Sequence, residues 1–280
     1  GEVPPEAPAT EGLAYELLGD DTYKVTGYTG TETEVNIPSM YNDKKVTAIG
    51  AAAFNERKDI TSVTIGKNVT EIGEEAFYKC NGMTSVTIPD GLTSIGDYAF
   101  QNCSKLTSIT LPAGAANFGE GAFRDCSGLT SMTLPSGVTR VANSLFYSCS
   151  GLKSVTLPDT VTAIEMSAFS GCTVLENIAI PSGVTSIGTY AFYHCEKLTE
   201  IALPSVLTTI GNKAFGYCKG LTSVVIPKSV TSVGEYIFEY CNYSLTINCE
   251  CKKADATGWN KNWNAGSSGY TLKVVWEYVA

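Results

Sequence analysis

Residues 106–126 read LTSITLPAGAANFGEGAFRDC, and this stretch decides the fold. In its first part Ile109 and Leu111 alternate with polar residues, which is the pattern of a half-buried strand. Pro112 cannot donate a ladder hydrogen bond and therefore ends that strand. A second apolar group, closing on Phe123, follows after a short turn that contains Gly114. A strand and a return turn within so few residues leave no room for a full-length helix.

The stretch is one copy of a repeat. A phenylalanine recurs every 23 residues, nine times, and a cysteine stands three residues after it from the second copy onward. The first copy has Arg57 in place of the cysteine. The two columns are Phe54, Phe77, Phe100, Phe123, Phe146, Phe169, Phe192, Phe215 and Phe238, and Cys80, Cys103, Cys126, Cys149, Cys172, Cys195, Cys218 and Cys241. Each column therefore marks one structural position, repeated coil after coil.

A period of 23 residues predicts a solenoid. It falls within the roughly 20 to 29 residues of leucine-rich repeats, in which every coil adds one short strand to a continuous parallel sheet. On the opposite face, the apolar spacing of Ile95, Ala99 and Phe100 predicts a short 3-10 or single helical turn. The expected fold class is a leucine-rich-repeat solenoid with a parallel sheet on one face and short 3-10 or helical turns on the other.

The repeated unit, a strand and proline followed by Phe-x-x-Cys, resembles the BspA-like leucine-rich repeats of surface proteins from anaerobic oral and gut bacteria. The resemblance covers about residues 35 to 250. The asparagine or cysteine of the general leucine-rich pattern is missing after the strand, so the Phe and Cys columns carry the likeness. It implies a right-handed solenoid with capped ends. It also implies a secreted or cell-surface-anchored protein, with the signal or anchor outside this chain.

Both ends of the repeat array are expected to carry caps, because a terminal coil otherwise exposes a cross-section of core. Alternating apolar residues around a Gly-Asp-Asp turn predict an N-terminal hairpin over residues 13–28. All three tryptophans lie in the last 22 residues and are interpreted as a hydrophobic lid, with a sugar-stacking platform as the alternative. The expected divisions are a Pro-rich linker or a processed or recombinant start at 1–11, an N-terminal cap at 12–34, nine leucine-rich repeats at 35–243, and a C-terminal strand with a Trp-rich cap at 244–280.

Ten cysteines in a secreted chain would ordinarily suggest disulfides. Eight of them occupy one column, so we predict an inward ladder of reduced, buried thiols. Adjacent coils lie about 5 Å apart, which a disulfide tolerates, but parallel side chains would have to rotate toward each other in alternate pairs. Zinc ligand pairs need short spacings that a 23-residue period does not supply. We therefore expect no metal and no other cofactor.

The residues offer little for catalysis. His194 is the only histidine and adjoins Cys195, so a Cys-His nucleophile pair is one hypothesis. Adjacent side chains usually diverge, and no third group that would orient the pair is evident. Neighbouring carboxylates such as Asp20 and Asp21 are interpreted as solvated charges on exposed turns. No Gly-rich phosphate loop precedes a helix, and we expect a protein that is not an enzyme.

The charge balance bounds the partners. A formal net charge of −9, from 19 basic and 28 acidic residues, argues against nucleic acid, because phosphate binding needs clustered Lys and Arg. No apolar run approaches the roughly 18 to 20 residues of a membrane-spanning helix, so no membrane insertion by this segment is expected. We also expect the chain to be a monomer.

The outward strand positions form the surface left for binding. Serine and threonine repeat along it until charged and amide side chains interrupt them, and such an interruption is where a specific site could lie. The candidate binding residues are Thr133, Lys153, Thr156, Glu176, Asn177 and Glu200. Simple drift of exposed strand positions is the alternative interpretation. Tyrosines on the turn side, among them Tyr193, Tyr217 and Tyr240, form the rival surface.

Three functions remain open at this point. A long solenoid surface without chemistry favours an extracellular binding module, for protein-protein interaction or adhesion at the bacterial cell surface, with a host or bacterial surface protein as partner. A structural spacer or carbohydrate-contacting stalk is the alternative. The ordered threonine array also raises ice binding, but the curvature of a solenoid would spoil the flat lattice that ice binding needs.

Overall fold

The computed structural model describes residues 8–266 and 271–279. The chain folds into two compact units, Gly1–Leu129 and Thr130–Ala280. Residues 1–7 of the expected linker lie outside the described residues. Its last part is tied to the fold, because the Thr10 N–H donates to the Asn36 carbonyl at 3.1 Å and Asn36 Nδ2 donates to the Pro8 carbonyl at 2.7 Å.

The first unit contains ten strands in its described part. They are β1 (Leu13–Leu17), β2 (Tyr23–Tyr28), β3 (Glu34–Ile37), β4 (Met40–Tyr41), β5 (Lys44–Ile49), β6 (Ser62–Ile65), β7 (Glu71–Ile72), β8 (Ser85–Thr87), β9 (Ser94–Ile95) and β10 (Asn117–Phe118). One sheet has the order β1-β2-β5-β7-β9-β10, with β4 paired to β5, and the other has the order β3-β6-β8. β1 and β2 form the antiparallel hairpin of the N-terminal cap, whereas strands of successive coils pair in parallel.

The second unit contains ten strands and one short 3-10 helix among its described residues. They are β11 (Ser131–Thr133), β12 (Arg140–Val141), β13 (Ser154–Thr156), β14 (Ala163–Ile164), β15 (Ser186–Ile187), β16 (Thr209–Ile210), β17 (Ser223–Ile226), β18 (Ser232–Val233), β19 (Thr246–Cys249), the helix Lys253–Asp255, and β20 (Lys273–Trp276). The sheets are β11-β13, β12-β14-β15-β16-β18 and β17-β19-β20. The fold class is the expected leucine-rich-repeat solenoid.

The strand face, formed by the exposed positions of β3, β6 and β8 in the first unit and of β11, β13, β17 and β19 in the second, is interrupted. Residues 106–111, 176–180 and 199–203 form no strand, so the expectation of one strand from every coil was wrong there. Their inward residues, including Ile109, Ile178 and Ile201, are still buried. Glu, Asn and Ala at the second and third sites are poor strand formers, whereas nothing in the local sequence explains the first.

A second set of parallel strands, not foreseen from the sequence, runs along each unit. It consists of pairs of residues such as Ser94–Ile95, placed just before a position that is glycine in most coils and Ala142 or Glu165 in two. Gly96 is needed because a Cβ there would lie 2.7 Å from the Glu74 backbone nitrogen of the preceding coil. These short strands bring the coils close together at the entry to the phenylalanine turn.

The turn side of each coil is a run of hydrogen-bonded turns, which replaces the predicted 3-10 or helical turn. The Phe77 N–H donates to the Ala99 carbonyl of the next coil at 2.8 Å, and the Cys80 N–H donates back to the Phe77 carbonyl at 3.1 Å. Residues two before and two after each phenylalanine of the column have positive φ, as at Glu75 (51°) and Lys79 (56°). This alternation directs every second N–H toward the next coil. Donors that a helix would use internally therefore join neighbouring coils.

The phenylalanine column is the centre of the core in both units. Each ring is fully buried and stacks on the ring of the neighbouring coil. The centroids of Phe54, Phe77, Phe100 and Phe123 in the first unit are 5.1 to 5.6 Å apart. Those of Phe146, Phe169, Phe192, Phe215 and Phe238 in the second are 5.3 to 5.6 Å apart.

The cysteine column is a ladder of hydrogen-bond donors. No disulfide joins any of the cysteines in the described residues, and all members of the column are buried, as predicted. Cys103 Sγ donates to the Phe77 carbonyl of the preceding coil at 3.2 Å, and six other members make the same bond at 3.0 to 3.2 Å. In the first coil, Arg57 replaces the cysteine and donates to the carbonyls of Tyr28 at 2.7 Å and Gly30 at 2.8 Å. The guanidinium reaches cap carbonyls that a thiol could not.

The C-terminal cap covers both sides of the last coil. On the turn side, the carbonyls of Asn262 and Trp263 accept the N–H groups of Tyr236 and Ile237, each at 3.0 Å. On the strand side, β20 pairs in parallel with β19. Trp263 and Trp276 pack against Trp259, with ring centroids 4.9 and 5.7 Å from it. The tryptophans therefore form the lid that closes the core.

Candidate functional site

The six candidate binding residues all lie exposed on the second unit. Thr133 and Thr156 are register partners in β11 and β13, where their hydroxyls point outward. Lys153 precedes β13 by one residue, and its backbone N–H donates to the Thr130 carbonyl at 2.9 Å. The ordered part of the strand face therefore presents threonines and one lysine.

Glu176, Asn177 and Glu200 lie in the coils that form no strand. The Glu176 carbonyl accepts the Thr199 N–H at 3.1 Å, so the two coils remain joined just before the point where the ladder would begin. Among the described residues, no ion pair involves Lys153, Glu176 or Glu200. Their charges are therefore uncompensated by close contacts and exposed to a partner.

A shallow groove of about 600 Å³ crosses the interrupted part of the strand face. It brings Asn177 and Glu200 together. The remaining lining residues are mostly small and apolar: Ile178, Ala179, Ile201, Ala202, Leu203, Ser223 and Val225. Thr156 and Thr133 occupy the equivalent column one and two coils before Ala179. In these two coils the loss of the hydroxyl pattern accompanies the loss of the ladder, and the result is an apolar floor beside an acidic side chain.

A second surface group lies on the turn side, and the sequence did not reveal its arrangement. The rings of His194 and Tyr217 stack at 4.0 Å, and those of Tyr217 and Tyr240 stack at 4.4 Å. We call these three residues the turn-face stack. All three stand two residues after a column phenylalanine, and that shared position was the available signal. The shared position does not indicate the orientation of the rings, which decides whether such residues stack.

The hypothesis of a Cys-His nucleophile pair is not supported by the geometry. Cys195 Sγ is buried and donates to the Phe169 carbonyl at 3.2 Å, and burial raises the pKa of this thiol well above its usual value. His194 Nδ1 instead lies 3.3 Å from Glu196 Oε1 on the outer side of the turn. The two side chains diverge, so the histidine cannot activate the thiol.

Within residues 8–266 and 271–279, no group of three or more His, Cys, Asp or Glu side chains is placed to hold a metal ion. No helix in those ranges has the length and apolar character that a membrane span requires.

Parallel strands, a buried phenylalanine column and a hydrogen-bonded turn in every coil define a leucine-rich-repeat solenoid protein. More particularly, the chain belongs to the family of the BspA type Leucine rich repeat region, whose sequence model matches residues 32–153 and 139–257 in six copies. No curated protein matches the chain.

Solved structures of bacterial leucine-rich-repeat proteins are similar to this chain. A protein from Bacteroides ovatus is 31% identical, with a TM-score of 0.83 over 95% of this chain and 70% of its own. A leucine rich repeat protein from T. pallidum is 26% identical, with a TM-score of 0.60 over 78% of this chain and 91% of its own. A leucine rich cell surface protein from Faecalibacterium prausnitzii is 26% identical, with a TM-score of 0.56 over 98% of this chain and 96% of its own. The family match and these similar structures agree that the chain is a BspA-type leucine-rich-repeat protein.

Proposed function

We propose that this chain is a non-catalytic, extracellular binding module that uses its strand face for protein-protein interaction or adhesion at the bacterial cell surface. The observation that carries the proposal is the groove where the strand face is interrupted. It combines an apolar floor at Ala179 and Ala202 with the exposed, unpaired charge of Glu200. Apolar area supplies affinity, and the charge supplies orientation and discrimination between partners.

The location on the cell surface is supported by a relative. The F. prausnitzii protein, which is similar over nearly the whole of this chain, is described as a cell surface protein. A host or bacterial surface protein is the partner that such a location favours, and the chain acts as a monomer. Light scattering on the purified chain tests the last point.

The test of the strand face is a triple exchange that restores the hydroxyl pattern: Lys153→Ser, Glu176→Thr and Glu200→Ser. Surface plasmon resonance against purified extracellular-matrix proteins is expected to identify a binder whose affinity falls about tenfold or more with this variant. The thermal midpoint should stay unchanged, because exposed substitutions typically alter stability by about 0.5 kcal/mol or less.

The matched control lies on the turn side and exchanges Tyr193, Tyr217 and Tyr240 for Ser. Normal binding by this variant supports the strand-face assignment. If the tyrosine variant abolishes binding while the strand-face variant binds as the parent does, the partner binds the turn side and the strand-face proposal is wrong. A chain that binds no matrix protein at all would favour a structural spacer or a carbohydrate-contacting stalk.

A further inference from the structure

The turn-face stack arises from a backbone feature that repeats in three successive coils. His194, Tyr217 and Tyr240 have φ values of 60°, 59° and 56°, so each side chain leaves the chain in the same direction. A positive φ is uncommon outside glycine, and at His194 and Tyr217 it is accompanied by inter-coil hydrogen bonds. The His194 N–H donates to the Gly216 carbonyl at 2.8 Å and the Tyr217 N–H to the Glu239 carbonyl at 2.6 Å. Equal conformations in adjacent coils bring the rings to stacking distance.

Tyr240 is the last ring of the stack and differs from the two before it. Within the described residues its backbone N–H donates no hydrogen bond, because no further coil supplies the carbonyl. Its side chain is 43% exposed, and Tyr243 beside it is 65% exposed. The stack therefore ends in an accessible ring.

A pocket of about 340 Å³ lies at this end of the stack. Its lining consists of Tyr217, Lys219, Tyr240, Cys241, Asn242 and Tyr243. None of these side chains is aliphatic, and the aromatic rings are joined by groups that can form hydrogen bonds. A lining of this kind suits a ligand with one apolar face and a polar rim, and it offers little to an aliphatic peptide side chain.

Lys219 is the only charged residue of the lining, and it is held in place. Its Nζ lies 3.1 Å from Glu196 Oε2, and that hydrogen bond lowers the pKa of the Glu196 carboxyl. The same ammonium lies 6.0 Å from the centroid of the Tyr217 ring. The lysine side chain remains 54% exposed, so donors are left for a ligand. In a chain with net charge −9, the pocket lining presents the ammonium group of Lys219, which Glu196 positions from outside the lining.

We propose that this pocket binds an acidic sugar, a pyranose ring that carries a carboxylate, at the exposed end of a glycan. The C–H face of the pyranose packs on Tyr240, and its carboxylate accepts a charge-assisted hydrogen bond from Lys219. Asn242 also lines the pocket; its Oδ1 accepts from the N–H and hydroxyl of Ser244 at 3.0 and 2.9 Å, so its Nδ2 is the group that donates to a ring hydroxyl. The site is separate from the strand-face groove and does not depend on the function proposed for that groove.

The test compares 3′-sialyllactose with lactose, which lacks only the acidic sugar, by saturation-transfer NMR and titration with the full chain. We expect binding of the acidic glycan to exceed that of lactose about tenfold or more. Lys219→Met, which keeps the apolar stem, should remove this preference, and Tyr240→Ala should remove binding of both sugars. Equal binding of the two sugars by the parent would overturn the proposal.

A matched control exists in the first unit. The Lys79 ammonium lies 4.9 Å from the ring centroid of Tyr78 and pairs with Glu56 at 2.9 Å. Lys79 therefore has a tyrosine and a glutamate as partners, as Lys219 does, but it does not adjoin the turn-face stack. Lys79→Met should leave sialyllactose binding unchanged, and an equal loss with Lys79→Met and Lys219→Met would show that only general charge matters. If an acidic aromatic peptide displaces sialyllactose at similar concentration, the pocket is a peptide site and the sugar assignment is wrong. Thermal midpoints of all variants separate binding loss from unfolding.

Discussion

The turn side and the strand side of the coils differ in how regularly their backbone hydrogen bonds recur. On the turn side, the same hydrogen bonds recur in coil after coil within each unit, as in the bond from Phe192 N–H to the Ala214 carbonyl at 2.8 Å. On the strand side, regular ladders stop at residues 106–111 and again at 176–180 and 199–203. The turn side repeats without interruption inside each unit, whereas the strand side does not.

The interrupted coils show which interactions set the path of the chain. Ile178 and Ile201 remain buried although their segments form no strand. Core packing and the turn-side hydrogen bonds therefore hold a coil in place even where the sheet is missing. The strand face is left free to change in sequence, which is what a variable binding surface requires.

Truncation is expected to have the largest effect. A chain ending at Tyr243 loses the cap from both sides of the Phe238 coil, and because each coil contacts only its neighbours, the exposed core should cause aggregation. A chain ending at Ala265 loses β20 but keeps Trp259 and Trp263 on the turn side, and it should stay soluble with a lower thermal midpoint. Size-exclusion chromatography and thermal melts check both. A chain ending at Tyr243 that stays monomeric and melts like the parent would contradict the lid.

Alkaline pH is expected to have the second-largest effect, by lowering the stability that the buried thiols of the turn side contribute. Burial raises the pKa of Cys80, Cys126 and Cys241 to about 12, from 9.0. A thiol with a higher pKa in the folded chain keeps its proton there but loses it on unfolding. Stability should therefore be intact below pH 9 and fall toward about pH 12, by up to about 1.4 kcal/mol per pH unit for each thiol.

Urea unfolding at pH 8 and pH 10 measures this loss. A variant with Ala at Cys80, Cys103 and Cys126 is the control, since it should show a shallower decline between the two pH values. Equal declines would mean that groups other than these thiols cause the loss of stability.

At neutral pH, thiol titration should find few reactive cysteines in the folded chain and at least eight after denaturation without reductant. Loss of those thiols to disulfides would contradict the ladder of reduced cysteines.

Phe192→Ala tests the packing of the turn side directly. The ring is fully buried between Phe169 and Phe215, at 5.3 and 5.5 Å, so truncation should cost about 3–5 kcal/mol. Phe192→Leu keeps most of the apolar volume and should cost less. Chemical denaturation measures both variants. A cost below about 1 kcal/mol for Phe192→Ala would show that the path of the coil is held elsewhere.

Ala202→Thr should have the smallest effect. It tests how much the strand side contributes to stability, for comparison with Phe192→Ala on the turn side. Ala202 is exposed in an interrupted coil, at the position where Thr156 stands in β13. The exchange should change the free energy of unfolding by about 0.5 kcal/mol or less. A loss comparable with that of Phe192→Ala would mean that both sides of the coil determine stability equally.

The sequence predicted the features that depend on composition and period. The Phe and Cys columns, the parallel strands, the hairpin cap and the tryptophan lid follow from apolar spacing, because burial is what such spacing reports. The turn conformation did not follow, since positive φ at Glu75 and Lys79 carries no glycine signal and depends on acceptors in the neighbouring coil. Residues 106–111 resemble a strand as closely as Ser85–Thr87 does, yet only the latter pairs.

The binding role of the candidate site residues stays a prediction. The structure shows that Asn177 and Glu200 line one groove where the ladder is missing, whereas Lys153 adjoins the regular strand β13. The pocket beside Tyr240 could not be predicted from the sequence, because it depends on the orientation of the rings and on the coil at which the inter-coil hydrogen bonds end. Its residues differ little in type from those of other coils.

The donor ladder of cysteines has a consequence for biosynthesis. An unfolded chain with ten thiols can be oxidised wherever two of them meet, whereas a buried thiol with a raised pKa is a poor nucleophile. Seven thiols of the column donate to a carbonyl of the coil before them, as Cys218 does to Phe192. The acceptor has therefore always been synthesised earlier than the thiol it receives. Coils that form as the chain emerges can mask their cysteines in the order in which the ribosome makes them.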